Sequence, residues 1–152
     1  MAYHIRKQIR DKIKEYLENI SILNGSVFFD DPDTVQPDQF PCVYITSINE
    51  QVNYPTVSSG TRIQDRIYVI EIISFVKSNK NLTDKLDELE YEIEKALSNN
   101  KDAVKLGGLV MFNNLVNTEY EFSDNPDLNI ASTRKTYEIH YRTLENSPDS
   151  SN

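Results

Sequence analysis

Cysteine is almost absent from this sequence, Cys42 being the only one in 152 residues. One thiol can neither close an intrachain disulfide nor assemble a cysteine-based zinc site, so a reducing compartment is the expected setting. Basic charge is also scarce. Sixteen Lys and Arg face 24 Asp and Glu, a formal net charge of -8. With no basic run to offset that deficit, a general nucleic-acid or anionic-membrane binder is excluded, and no sequence-specific nucleic-acid contact is expected. Nowhere do 18 apolar residues run together, and the charged first 16 residues lack the apolar stretch of a signal peptide. The expectation is an intracellular product that meets no membrane.

The residues that usually carry chemistry are equally thin. His4 and His140 are the only histidines, and neither sits in a metal-binding spacing. Cys42 lies in an apolar run without a neighbouring base, which fits a small buried side chain better than a nucleophile. Glycine numbers only four, and neither Gly107-Gly108 nor Ser58-Ser59-Gly60-Thr61 has the lysine and flanking glycines of a phosphate-cradling loop. No Gly-x-Ser-x-Gly elbow occurs. Asp30, Asp31, Asp33 and Asp38 cluster, as do Asp124, Asp127 and Asn129, but both groups lack the alternating ligand pattern of a calcium loop. Prolines 32 and 37 suggest turns there instead. A non-enzymatic protein with no catalytic residues, no cofactor and no metal is expected.

What is present is periodicity. Over residues 3–20, Ile5, Ile9, Ile13, Tyr16, Leu17 and Ile20 fall at helical spacing with Arg and Lys on the remaining arc, predicting an amphipathic helix. Gly25 stops it, and residues 27–29 read as a short strand. Residues 40–48 form a β-rich run with Pro41 at its start, and residues 49–60 read as a long exposed loop. A long strand follows over roughly 62–76. A second, acidic helix then carries Leu82, Leu86, Leu89, Ile93, Ala96 and Leu97 on one stripe, with Asn81 or Thr83 as its cap. Residues 109–122 suit one bulged strand or two, and residues 134–143 a last strand with Tyr137, Ile139 and Tyr141 alternating with polar partners. The reading is a single α+β domain over residues 1–145, with a largely antiparallel four- to five-stranded sheet and two amphipathic helices packed on one face. Residues 146–152 read as a disordered tail.

The long strand raises the central question, because one of its faces carries Ile67, Val69, Ile73 and Phe75 and the other Tyr68, Ile70, Ile72 and Val76. Two helices shield one face of such a sheet. Leaving four large apolar side chains wet forgoes at most about 6–12 kcal/mol, comparable to a domain's whole net stability. A sheet curled on itself or the surfaces of neighbouring copies would supply the cover, and copies are the more economical expectation because no amphipathic segment is left over. Tyr68, Ile70 and Ile72 are accordingly candidate subunit-contact residues.

At "DRIYVIEIISFVKSNKNLTDKLDELEYEIEKAL" the chain resembles the tail terminator proteins of long-tailed phages, the minor tail protein U family. The likeness extends in order through the N-terminal helix, "FPCVYI", a loop, the long strand joined by a polar turn to the acidic helix, and a final "TYEIHYRT". It covers residues 3–143. What the resemblance implies is a homo-oligomer, a hexameric ring on the finished tail tube that stops polymerisation and offers the head's neck a place to attach. Its partners would be the tail tube protein and a neck or head completion protein, in a virion tail assembled in the bacterial cytoplasm. The loop at 49–60 would order on contact with tail components, with Tyr54 and Val57 as apolar anchors and Arg62 and Arg66 as nearby cations. The alternatives are another head-to-tail neck or completion protein, or a small intracellular domain whose sheet face cradles an apolar ligand.

Overall fold

A computed structural model describes residues 2–30, 40–55, 60–123 and 129–151. The described elements in chain order are α1 (Ile5–Glu18), β1 (Val27–Phe29), β2 (Cys42–Asn53), β3 (Ile63–Lys77), α2 (Leu82–Ser98), α3 (Lys101–Val104), β4 (Phe112–Phe122) and β5 (Ile130–Leu144), with a 3-10 turn at Ser21–Leu23. The strands form one open five-stranded sheet in the order β1-β2-β3-β5-β4. Only β1 with β2 is parallel. The fold is therefore α+β with a largely antiparallel sheet, as the periodicity predicts.

Alternation along the pleat decides which side is covered. On β3, Tyr68, Ile70, Ile72 and Val76 point under the helices, and on β5 Ala131, Tyr137, Ile139 and Tyr141 join them. Helix α1 adds Ile5, Ile9, Ile13 and Leu17, and α2 adds Leu86, Leu89, Ile93 and Leu97, all buried in the same core. Each such side chain contributes about 1.5–3 kcal/mol of burial. This corrects the expectation for Tyr68, Ile70 and Ile72. They are the covered face of the sheet, sealed within the chain, and cannot be subunit contacts.

The uncovered face is also less oily than the sequence suggests. Ile73 and Phe75 collect at one end with Cys42, Tyr44 and Phe28, where Tyr44 stacks obliquely on Phe28 at 5.3 Å and meets Phe75 edge-on at 6.0 Å. Burial pushes the Cys42 thiol up to about 12, so it stays protonated as a small apolar side chain. Along the rest of that face, cross-strand ion pairs join Asp65 to Arg142 at 2.6 Å and Glu71 to Arg134 at 2.9 Å. Ile67 and Val69 lie half-buried among these long side chains. The exposed apolar face expected to force copies together is thus largely a charged surface, because β5 supplies arginines opposite the acids of β3.

Local chemistry explains the helix starts. His4 Nδ1 accepts from the Arg6 amide at 3.1 Å and caps α1. Burial, with Arg6 next, holds the His4 pKa below its ordinary value, which keeps the bare nitrogen that the cap needs. Asn81 precedes α2 in the left-handed region at φ 54°, a conformation Asn tolerates, and its side chain makes no capping bond there. Asn100 caps α3, a short helix absent from the sequence reading, by accepting from the Ala103 amide at 2.9 Å.

Two boundaries differ from expectation. β2 runs on to Asn53, through residues read as loop, because β3 is long enough to pair with it up to Asp65. Residues 146–151 form turns against the start of α1 instead of a free tail: the Ile5 amide donates to the Pro148 carbonyl at 2.8 Å and Gln8 donates to the Asp149 carbonyl at 2.7 Å. The first amides of a helix lack partners of their own, and here the tail supplies one. Of the acidic groups, Asp31, Asp33, Asp38, Asp124 and Asp127 lie outside the described residues. Among the described residues no group of three or more His, Cys, Asp or Glu is gathered as metal ligands would be, and no helix is long and apolar enough to cross a membrane.

Beneath α2 the core contains an ion pair. Lys135 Nζ lies 2.6 Å from Glu90 and 3.3 Å from the half-exposed Glu94, and the Thr133 hydroxyl donates to Glu90. Burial pulls the Lys135 ammonium down to about 8, against the attraction of Asp87. Removing one member of a buried pair costs more than replacing both. Glu90→Leu should therefore lose about 3 kcal/mol in urea unfolding, while Glu90→Leu combined with Lys135→Met should regain most of it. Equal losses in the two variants would show that packing, and not stranded charge, sets the cost.

Candidate assembly interface

The sheet has two lateral edges, and they are unequal. On one side β4 is paired only with β5, leaving its outer backbone row open along 11 residues among the described parts of the chain. On the other side β1 covers β2 at Val43, Tyr44 and Ile45, and among the described residues nothing pairs with the outer row of residues 46–53. An uncovered edge is a template for another strand, and proteins blunt it with Lys, Pro, other charges or a bulge. The β4 segment FNNLVNTEYEF and β2 residues 46–53 contain no Lys or Pro, though they hold Glu119, Glu121 and Glu50.

Apolar side chains gather on these edges. Met111, Leu115, Val116, Tyr120 and Phe122 are exposed on or beside β4, and Ile48, Val52 and Tyr54 on or beside β2. Each strand also has one bulge. β4 slips register between Leu115 and Asn117, and β2 between Ser47 and Asn49. The bulged residues, Val116 and Ile48, are about half exposed (49% and 46%). The two bulges stand level, since Ser47 pairs with Ile70, Ile70 with Tyr137 and Tyr137 with Leu115 in one row across the sheet.

Electrostatics differ on the two sides. Over β2 and β1, α1 presents Arg6, Arg10 and Lys14 at four-residue spacing: Arg6 lies 3.7 Å from Glu50, Arg10 donates to the Tyr68 hydroxyl at 2.8 Å, and the Lys14 ammonium sits 5.1 Å from the Phe29 ring centre. A cleft of about 310 Å³ opens between this part of α1 and the β2 bulge, lined by His4, Arg6, Lys7, Arg10, Ser47 and Ile48 among others. Over β4, α2 presents Asp87, 3.5 Å from the Tyr120 hydroxyl, and Glu94. Glu119 and Glu121 add further negative charge along β4 itself.

The residues singled out from the sequence divide. Tyr54 is exposed at the end of β2, with the Arg62 guanidinium 4.1 Å from its ring centre and Gln64 donating to its hydroxyl at 2.9 Å. Arg62 also pairs with Glu145 at 3.0 Å. Both stay at the surface, where the loop leaves β2. Val57 lies outside the described residues. Arg66 is different in kind: its side chain is only 11% exposed and holds Glu50 at 2.6 Å, Gln64 at 2.6 Å and Thr143 at 3.0 Å. Tyr141 donates to the same Glu50 at 2.5 Å, and burial followed by that bond drives the phenol pKa up. Arg66 is a structural cation that ties β2, β3 and β5 together. Tyr68, Ile70 and Ile72 are core, as described above. The edge residues Leu115, Val116, Tyr120 and Phe122 were missed, though an apolar strand without Lys or Pro was the available signal.

No family model matches this chain, and no curated protein matches it. Among solved structures it is similar to a chain of the "Virion of native gene transfer agent (GTA) particle", at 11% identity over 92% of each chain, with a TM-score of 0.43. That degree of likeness transfers no function.

The contrast between the two arginines gives a test. Arg66→Met strands the buried Glu50 and should cost about 3–5 kcal/mol in chemical unfolding, whereas Arg62→Ala removes an exposed pair and should cost less than about 1 kcal/mol. Ile70→Ala should cost about 2–5 kcal/mol, as a core truncation does. Loss of only a few tenths for Ile70→Ala would return that residue to the surface.

Proposed function

We propose that the protein is a structural component of a phage or prophage tail, a terminator whose copies form a hexameric ring on the end of the tail tube. The ring stops tube polymerisation and presents its other face to the neck or head completion protein. The observation that carries this reading is that, among the described residues, both lateral edges of the sheet are unpaired over part of their length and carry exposed apolar side chains, because two different adhesive sides are what a closed ring of identical subunits requires. The ordered likeness of residues 3–143 to tail terminators supports it, and in this reading Tyr54 and Arg62, side by side beyond the end of β2, would meet the tube. Activity here is shape and contact, without a chemical step. The apolar-ligand reading gains no support from the uncovered sheet face, which is crossed by the Asp65–Arg142 and Glu71–Arg134 pairs.

The test uses polymerising tail-tube protein from the same phage or prophage, observed by electron microscopy with and without the purified chain. Tubes that stop growing and carry a six-fold ring of this protein at one end are the expected result. Tubes that lengthen unchanged, with the protein left in the supernatant, would remove the terminator role.

A further inference from the structure

We infer that the cleft between α1 and the β2 bulge is a carboxylate site, which takes an Asp or Glu side chain of an acidic peptide segment on Arg6, Arg10, His4 and Ser47. Both of its walls come from described residues. Such a site is independent of the ring reading, and either can fail alone.

The cleft holds more hydrogens to give than oxygens to receive them. Arg10 Nη1 donates to the Tyr68 hydroxyl at 2.8 Å and to the Ser47 hydroxyl at 3.4 Å, and those two hydroxyls also bond to each other. A guanidinium has hydrogens to donate and no lone pair to offer. The bond between the hydroxyls therefore uses one of their two hydrogens, and the other has no acceptor among the described residues. Tyr68 is 1% exposed and packed in the core, so this hydroxyl pair is fixed in place. His4 adds a donor of the same kind. Its Nδ1 accepts from the Arg6 amide at 3.1 Å and from Arg6 Nε at 3.3 Å, and burial keeps the ring neutral by holding its pKa down. A neutral imidazole with a bare Nδ1 carries its hydrogen on Nε2, and that hydrogen also lacks an acceptor among the described residues.

The arginines complete the donor set. Arg6 and Arg10 stand one helical turn apart on α1 and line the same cleft. Among the described residues, Nη2 of each has no partner. The carboxylate already present, Glu50, is taken: Arg66 holds one oxygen at 2.6 Å and Tyr141 donates to the other at 2.5 Å, which leaves Arg6 as a loose outer contact at 3.7 Å. Lys7 is engaged by Asp11 at 2.7 Å. A ligand that satisfies the remaining donors must bring lone pairs and negative charge.

Charge then narrows the class of anion. Four cations, Arg6, Lys7, Arg10 and Arg66, gather here against two acids, Asp11 and Glu50, a local exception on a chain of net charge -8. A polyanion would meet the repulsion of the rest of the surface, whereas a single carboxylate meets only the local excess. The arginine forks are planar and match a carboxylate with two parallel bonds. At about 310 Å³ the cleft is at the small end of ligand sites, suited to one side chain and its adjoining backbone.

The experiment titrates the full isotope-labelled chain, followed by NMR at constant ionic strength, with an acetylated and amidated Gly-Asp-Glu-Gly peptide. The amides of Arg6 and Ser47 and the Arg10 guanidinium should shift together, with a Kd of about 1 mM, as two or three charge-assisted hydrogen bonds supply. Arg10→Gln should weaken binding about tenfold, and Ser47→Ala should weaken it about threefold. Lys14→Gln removes the same charge from the same helix but outside the cleft, and should change binding less than about twofold. Circular dichroism checks each fold. Should Arg10→Gln unfold, Arg6→Gln takes its place with the same expected loss, since Arg6 is partly exposed. The site would be overturned by equal binding of the neutral Gly-Asn-Gln-Gly peptide, or by equal losses in Lys14→Gln and the cleft variants. Absence of any shift at about 10 mM peptide would overturn it too. Inorganic phosphate binding more tightly than the acidic peptide would overturn the carboxylate assignment.

Discussion

The pleat of β3 and β5 is the constraint on which the rest of this structure depends. Fifteen paired positions lock these two strands in one register, and a shift by one residue would turn Tyr68, Ile70, Ile72, Tyr137 and Ile139 from the helix side to the open side. With that register set, both helices must lie on one face, because only that face presents a continuous apolar surface. The consequence extends sideways. A sheet covered from above by two helices keeps its lateral edges bare unless another segment wraps them, and β1, three residues long, wraps only the beginning of β2. Among the described residues, the exposed apolar side chains of the edges are therefore what the building of the core leaves over.

Element types were legible from the sequence wherever one period dominated. The fourfold spacing of Ile5, Ile9, Ile13 and Leu17 marks α1, and the leucines and Ile93 mark α2; both stripes are buried as their spacing requires. The face assignment of β3 was not legible, since both parities of that strand are apolar and only its neighbours break the tie. β5 breaks it. Arg134, Glu138, His140 and Arg142 occupy the even positions and make the open side polar, while Tyr137, Ile139 and Tyr141 make the other side the core. A pattern confined to one strand could not reveal a decision made between two. The extension of β2 to Asn53 was missed for the same reason, since Asn49, Gln51 and Asn53 look like loop residues until β3 supplies their partners.

The candidate site was legible only at its margins. Tyr54 and Arg62 do sit exposed together, but Arg66 proved to be the buried anchor of Glu50, a role that depends on Tyr141 and Thr143 arriving from a strand more than 70 residues away in the chain. Edge position cannot be read locally either, because which strand ends up outermost is a property of the whole sheet order. The residues of β4 advertised themselves only by an absence, the lack of Lys or Pro on an apolar strand.

Net charge bears on how such a surface can work. At -8 per copy, identical chains repel at long range, and salt near physiological strength screens that repulsion beyond about 8 Å. What survives screening is contact, so association is governed by the local pattern and not by the total. The local pattern is asymmetric: α1 gathers Arg6, Arg10 and Lys14 over one edge while the acidic residues of α2 and β4 gather over the other.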